Sequence, residues 1–363
     1  TLMRDINTPH HRIFLLFSGF NPRAVLAIGR LFLDLQVPFF IVASGKHDPI
    51  WKSELRDAVR FSRIGPELDE PLMRSVARLL PEDCQGVICP TSEYLNLYLL
   101  ESRDYLHEQF ILAMPDREIY ERLTHKARFL EWASGSETFC RPENLEHMPD
   151  ASDIPFVAKP FVNVRHGKTL YPVLVLNDED FEAFHANFDT SEYFFQEYIE
   201  GQSIYFCIYI SANGESANFV QRNLCQQPDG KSIVWAEHAP GCYGPESRML
   251  VQALLDIKYT GWVMIECIER EGQLFAIEAN PRLWGPLQLA IDVCPRMAEL
   301  FIEDEIGIEV AISAGKYSEY LWLDGFRSCS RSASEFRWYV PPPKNLASFL
   351  ENKKLLDVEY RCG

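Results

Sequence analysis

Two glutamates and an asparagine, Glu266, Glu278 and Asn280, stand inside runs that are otherwise apolar. The runs are Trp262-Val-Met-Ile-Glu266-Cys-Ile268 and Leu274-Phe-Ala-Ile-Glu278-Ala-Asn280-Pro-Arg282, separated by the polar, Gly-containing residues 269–273. Such runs about a short turn predict a β-hairpin. A carboxylate is costly to bury unless it is paired or holds a metal, so acids in half-buried strands need partners. Side chains alternate faces along a strand, and Glu278 and Asn280 therefore share one face. A three- or five-residue loop around Gly272 sets Glu266 opposite or diagonal to Glu278 on that face; a two-residue loop puts the two on opposite faces. In the first case three oxygen-bearing side chains converge, with Arg282 just beyond. Hard cations take carboxylate and amide oxygens, and Mg²⁺ usually completes its shell with water and substrate phosphates. The chemistry this predicts is a Mg²⁺–nucleotide site with an anion-binding arginine at its rim. The alternative is a hairpin whose glutamates face solvent.

The first hundred residues, which must help to position such a site, alternate strand and helix signals. Ile13–Phe17 and residues 86–89 are short apolar runs of the kind that form buried parallel strands, and Phe39–Ala43 is a further strand. Asn21-Pro22 supplies an N-cap and a proline at the first position of a helix running to about Leu35. Residues 52–59, 67–80 and 94–101 also read as helices. Together these predict a doubly wound parallel α/β domain over residues 1–105. Ligands bind beyond the C-terminal strand ends of such sheets, which turns the loops 18–23 and 90–93, carrying Arg23 and Glu93, toward any site.

Residues 106–200 begin as a mainly helical linker containing Thr124-His-Lys126 and then turn to β signals with one helix near 178–187. They include a strand ending in Val-Ala-Lys159-Pro160, a polar loop over 163–168, and the strand Tyr193–Ile199 closed by Glu200-Gly201. Residues 201–312 hold strands over 203–211 and 216–225, a helix over 245–257, and the hairpin. Residues 313–363, with Pro341-Pro342-Pro343, read as a separate extension. There is no internal repeat or low-complexity segment.

The 363 residues suffice for two or three domains with a sizeable core. A net charge of −17, from 52 acidic and 35 basic residues, argues against nucleic-acid or anionic-membrane binding. An anionic nucleotide is still admitted wherever a site gathers its own Lys, Arg and metal. The ten cysteines form no CxxC and no Cys/His zinc spacing. With no apolar leader and no run of membrane-span length, dispersed cysteines predict a cytoplasmic protein.

Lys126 at a helix start, Lys159 at a strand end before a Gly-containing loop, the Gln196–Gly201 strand and the Glu266/Glu278/Asn280/Arg282 hairpin follow one another in a set order. That order resembles the ATP-grasp superfamily of carboxylate–amine ligases, which includes biotin carboxylase, D-alanine–D-alanine ligase and the carbamoyl-phosphate-synthase-like amino-acid ligases. The resemblance covers roughly residues 10–300. Its specific pieces are Val-Ala-Lys159-Pro and Glu278-Ala-Asn280-Pro-Arg282. It implies an ATP-grasp fold, two α+β subdomains clasping ATP, behind the N-terminal α/β domain and before a C-terminal extension. By the same resemblance Lys126 and Lys159 contact ATP phosphates, and Gln196, Glu197 and Ile199 form the linker at the adenine edge. Glu266, Glu278 and Asn280 hold Mg²⁺ (or Mn²⁺), and Arg282 holds the substrate carboxylate or acyl phosphate. Ser203 stands where many members place a ribose-binding acid. The lid loop 163–168 carries one glycine, Gly167, among Arg165, His166 and Lys168. Arg222, on the 216–225 strand, either clamps a phosphate or acyl intermediate or forms a surface ion pair.

The implied activity is activation of a carboxylate by ATP as an acyl phosphate, followed by amide or peptide bond formation with an amine. The implied partners are a small-molecule carboxylate and an amine, with a homodimer left open. The alternatives are an ATP-grasp small-molecule kinase and a degenerate nucleotide-binding regulatory protein.

Overall fold

A computed structural model of the protein describes residues 11–165, 168–329 and 332–361. At the N-terminus, β1 (His11–Phe17), α1 (Pro22–Asp34), β2 (Phe39–Ala43), β3 (Val59–Ser62), α2 (Glu70–Ala77), β4 (Cys84–Ile88), α3 (Glu93–Glu101), α4 (Arg103–Leu106) and β5 (Phe110–Leu112) build a five-stranded sheet of order β3-β2-β1-β4-β5. Its pairings are all parallel. Alternation along β1 sends Phe14 and Leu16 into one buried cluster and Leu15 and Phe17 into another on the opposite face, as a sheet covered on both faces requires. The helix expected over 52–59 is instead two 3₁₀ turns, Pro49–Lys52 and Glu54–Ala58. Asp48 and Ser53 cap these turns separately, accepting from Ile50 N and Leu55 N, and the next residues leave them to pair with β2 as β3.

Next come α5 (Arg117–Thr124), α6 (Lys126–Ala133) and β6 (Phe139–Cys140). A small α+β unit follows, the segment expected as the lid and called so below: β7 (Phe156–Pro160), β8 (Val164–Arg165), β9 (Lys168–Thr169), β10 (Val173–Val175), α7 (Asp178–Asn187) and β11 (Tyr193–Glu197), with a sheet of order β10-β7-β11. The lid has its own core of Phe156, Ala158, Val175, Phe184, Tyr193 and Phe195.

The largest sheet is built from β12 (Gln202–Ile210), β13 (Ser216–Gln226), β14 (Ile233–His238), α8 (Gly244–Asp256), β15 (Gly261–Arg270), β16 (Gln273–Asn280), α9 (Leu287–Val293), α10 (Arg296–Ile306) and β17 (Glu319–Leu321), ending in α11 (Leu323–Arg327), β18 (Arg337–Trp338) and α12 (Leu346–Lys353). Its strand order is β17-β14-β13-β12-β15-β16-β6, with β18 on β13. The segment expected as a separate extension is thus woven into this sheet through β17 and β18. It packs Leu321, Leu323, Phe326 and Phe336 against Cys225 and Val234. One apolar cluster runs from Phe14, Ile28 and Phe32 to Trp262, Trp284, Leu287 and Phe301. It joins the N-terminal domain to the large sheet, while the lid stands on its own core.

Candidate functional site

The hairpin forms in an unexpected way. Arg270 pairs with Gln273, so the loop has two residues, Glu271 and Gly272, both at positive φ (53° and 79°). That is the conformation of the tight turns that suit twisted strands. A regular ladder from this turn would place Glu266 opposite Ile277 and send Glu278 to the other face. A β-bulge intervenes: Cys267 pairs with Ala276, but Glu266 pairs with Glu278. Ile277 is the extra residue, and such bulges re-aim the side chains that follow. Glu266, Glu278, Asn280 and Arg282 consequently line one cavity of about 700 Å³ between lid, linker, N-terminal domain and large sheet.

Both lysines converge on the acids. Lys126, the first residue of α6, is 3% exposed and its Nζ donates to Glu278 Oε2 at 3.2 Å. Lys159 lines the cavity, is buried, and its Nζ has no hydrogen-bond partner. Burial, then repulsion from Lys126, pulls the Lys159 pKa down to about 8 against the attraction of Glu278 and Glu266. The two acids divide in the opposite sense. Burial and the neighbouring Glu278 push Glu266 up to about 8. Burial would also raise Glu278, but Lys126, the Asn280 amide and Lys159 outweigh it and hold this carboxyl below its ordinary range. Two close carboxylates thus share essentially one negative charge. Asn280 bridges the set: its Nδ2 donates to Glu278 Oε1 at 3.2 Å, and its Oδ1 accepts from Arg282 Nη2 at 3.1 Å. Among the described residues no three His, Cys, Asp or Glu side chains gather as a metal site, so a third protein oxygen here would be that of Asn280. An unpartnered ammonium beside two crowded carboxylates suits an anion and a hard cation bound together.

The linker residues separate. Glu197, Tyr198 and Ile199 line the cavity. The Glu197 carboxylate accepts from Glu143 N at 3.0 Å and from Arg270 Nη1 at 3.4 Å. Gln196 is buried; its Nε2 donates to Asn144 Oδ1 at 2.9 Å and its Oε1 has no partner. Ser203 departs from expectation. It is 1% exposed, does not line the cavity, and its hydroxyl accepts from Asn223 Nδ2 at 2.7 Å, so the interior consumes the group expected at the ribose. Arg222 also departs. It pairs across the sheet with Ile204, whose side chain enters the core on the face away from the cavity, and it forms an ion pair with Glu237 at the surface. Strand alternation alone removes it from the site. His166 and Gly167 lie outside the described residues.

At the N-terminal domain, Asn21, Arg23, Thr91 and Glu93 line the same cavity as Arg282. Leu283 N donates to Pro90 O at 2.8 Å, and Asn21 Nδ2 donates to Leu283 O at 3.3 Å, which ties the loop after Asn280 to both strand-end loops. Sequence reasoning missed Arg337 and Tyr339, which come from the C-terminal segment. The Arg337 guanidinium lies over Tyr198 at 5.4 Å and Tyr339 at 5.0 Å, and all three line the cavity. Their only sequence signal was the aromatic–basic run Arg337-Trp338-Tyr339.

No protein-family model matches the chain, and no curated protein matches it by sequence. Solved structures do match. The biotin carboxylase domain of 2-oxoglutarate carboxylase from Hydrogenobacter thermophilus, solved with MgADP, ADP and bicarbonate, is similar at a TM-score of 0.63 and 14% identity, over 83% of this chain and 71% of that one. N5-carboxyaminoimidazole ribonucleotide synthetase from Thermus thermophilus gives 0.59 and 16%, over 83% and 80%. N5-carboxyaminoimidazole synthetase from Staphylococcus aureus with ADP gives 0.60 and 15%, over 86% and 81%. The chain has the ATP-grasp fold. The cavity lies between the unit carrying β7–β11 and the large sheet.

Proposed function

We propose that the protein is an ATP- and Mg²⁺-dependent ligase that activates a carboxylate as an acyl phosphate and joins it to an amine. The observation that carries this reading is the convergence of Lys159, Glu266, Glu278, Asn280 and Arg282, remote in sequence, around one cavity, with Lys126 paired to Glu278 from behind it. The unpartnered Lys159 ammonium and the crowded Glu266/Glu278 pair are what a bound triphosphate and a cation would each relieve. The MgADP and ADP bound in two of the similar structures accord with this.

In this reading Glu266, Glu278 and Asn280 hold Mg²⁺, which offsets phosphate charge when bound. Lys159 and Lys126 reach the phosphates, and Ile199 with the linker backbone borders the adenine. Arg282 holds the carboxylate with its planar fork. The carboxylate oxygen attacks the γ-phosphorus and ADP leaves; the amine nitrogen then attacks the acyl carbon and phosphate leaves. The protein positions the reactants and neutralises charge, and the lid excludes water that would hydrolyse the acyl phosphate.

Glu278→Gln tests the assignment. It should reduce Mg²⁺-dependent ADP release by at least about a hundredfold while circular dichroism stays unchanged; full activity would refute the metal role. ADP release that needs no amine would point to a kinase. One observation favours a regulatory nucleotide-binding module instead, the engagement of Ser203 with Asn223. Tight ADP binding without turnover for any carboxylate–amine pair would support that reading.

A further inference from the structure

On the side of the N-terminal domain the same cavity forms a crevice lined by Arg23, Thr91 and Glu93; Glu93 lies in the field of Arg282, Glu278 and Lys126, and neither it nor Arg23 has a part in the phosphate and metal roles given above. Strands β1 and β4 are adjacent, and the chain leaves them toward opposite edges of the sheet. The crevice is therefore the switch point where open α/β sheets take ligands. Arg23 enters it from the first turn of α1 and Glu93 from the start of α3.

Arg23 is held as a fixed plate. Its guanidinium lies 3.8 Å from the Trp322 ring centroid, and it donates to the Tyr320 hydroxyl. Gly285 lies against it: an added Cβ there would sit 2.6 Å from Arg23 Cζ, so a side chain at this position would push the guanidinium from its place. Asp357 and Glu359 feel its field, yet no carboxylate forms an ion pair with it among the described residues. The Glu93 carboxylate accepts from Asn163 Nδ2 of the lid at 3.2 and 3.4 Å and lies within the field of Arg282. Thr91, fully buried between them in sequence and lining the same cavity, has a hydroxyl with no hydrogen-bond partner. Buried polar groups are nearly always satisfied, so this hydroxyl points to an absent ligand. A cation and an anion fixed in one crevice, unpaired with each other, complement a zwitterion.

We propose that this crevice is an amino-acid subsite, in which Arg23 holds the α-carboxylate, Glu93 the ammonium and Thr91 a further hydrogen bond, so that the amine consumed by the ligase is that of an α-amino acid. The reaction half of this proposal rests on the ligase reading; the binding half does not. Glu93 takes one proton from the ammonium and leaves a neutral amine beside Arg282. The nitrogen lone pair then forms the C–N bond to the acyl carbon. The C–O bond to phosphate breaks, phosphate departs with that electron pair, and the remaining surplus N–H proton passes to the phosphate.

Calorimetry on the full chain saturated with ADP and Mg²⁺ tests it, with the proteinogenic amino acids in both chiral forms as probes. At least one should bind. Its decarboxylated amine and its N-acetyl derivative should each bind more weakly by roughly tenfold to a hundredfold. Arg23→Gln should erase the difference between the amino acid and the amine; Glu93→Gln should erase that between the amino acid and the N-acetyl form. Arg23→Lys, which keeps a charge in the crevice, should retain part of the carboxylate preference and covers the case in which Arg23→Gln fails to fold. Wild-type protein that binds ADP but no amino acid, or amino-acid binding indifferent to Arg23 and Glu93, overturns the subsite. Wild-type protein that fails to bind ADP overturns the ligase reading instead.

Discussion

Replacing Lys159 by Met should stabilise the unliganded protein while crippling its nucleotide site. The Lys159 ammonium is buried without a hydrogen-bond partner and its pKa falls from the ordinary 10.5 to about 8. That difference corresponds to roughly 3 kcal/mol of unfavourable free energy in the charged folded form. The sign follows from linkage. Below pH 8 the lysine is charged in both folded and unfolded states, and the folded state bears the full cost. Between pH 8 and 10.5 the folded state has released the proton and the unfolded state has not, so the cost fades as pH rises. Met fills a similar volume without charge. Lys159→Met should therefore raise the unfolding free energy by about 3 kcal/mol at pH 7 and only about 1 kcal/mol at pH 9.5, read from urea denaturation at the two pH values. The same variant should bind ADP at least roughly tenfold more weakly, through loss of a charge-assisted contact. A variant less stable than wild type at pH 7, or a gain independent of pH, would refute the view of Lys159 as a strained cation kept for a ligand. Unchanged ADP affinity would refute its phosphate role. Stability given up at a functional site is the general pattern this would exemplify.

Glu266 is pushed up to about 8, so Mg²⁺ binding with ADP should expel about one proton at pH 7, measured from the buffer dependence of the binding heat, and at pH 9.5, where Glu266 is already ionised and Lys159 has lost its proton, the exchange should turn to proton uptake; no proton release at pH 7 would refute the Glu266 role. A Cβ at Gly201 would meet Glu269 O at 2.0 Å, a backbone atom that cannot step aside. Gly201→Ala should thus cost about 2 kcal/mol or more and weaken ADP binding by displacing the linker; a variant with wild-type melting temperature and ADP affinity would contradict the packing described. Arg222→Ala, on the far face with its surface Glu237 partner, should change stability by less than about 1 kcal/mol and leave turnover intact; a large loss of turnover would restore Arg222 to the site.

Much of this was legible because it is local. The β1 and β2 runs, the Asn21-Pro22 helix start and the parallel N-terminal sheet follow from periodicity and turn chemistry, as do the two strands of the hairpin, since side-chain spacing along one segment reports its own geometry. The types and order of Lys126, Lys159, Glu266, Glu278, Asn280 and Arg282 pointed to the ATP-grasp fold, which the chain has. Residue type could not say which way Arg222 and Ser203 point. Arg222 is removed by its register against Ile204, and Ser203 by a hydroxyl given to Asn223, and both depend on strands that meet only in the fold. The C-terminal segment looked detached because two- and three-residue strands such as β17 and β18 carry too little pattern to be seen. They exist because β14 and β13 offer them an edge.

The opening hairpin divides the two contributions most clearly. Sequence by itself determined that Glu266, Glu278 and Asn280 sit in opposed strands and that burying them demands a partner, because composition and burial cost are properties of residues. It left their common face conditional on loop length, and the two-residue turn that forms would by itself have parted the glutamates. Only tertiary structure decided otherwise, through the bulge at Ile277. A bulge is settled by how both strands pack against Lys126, Lys159 and the large sheet, and that packing joins residues more than a hundred positions apart.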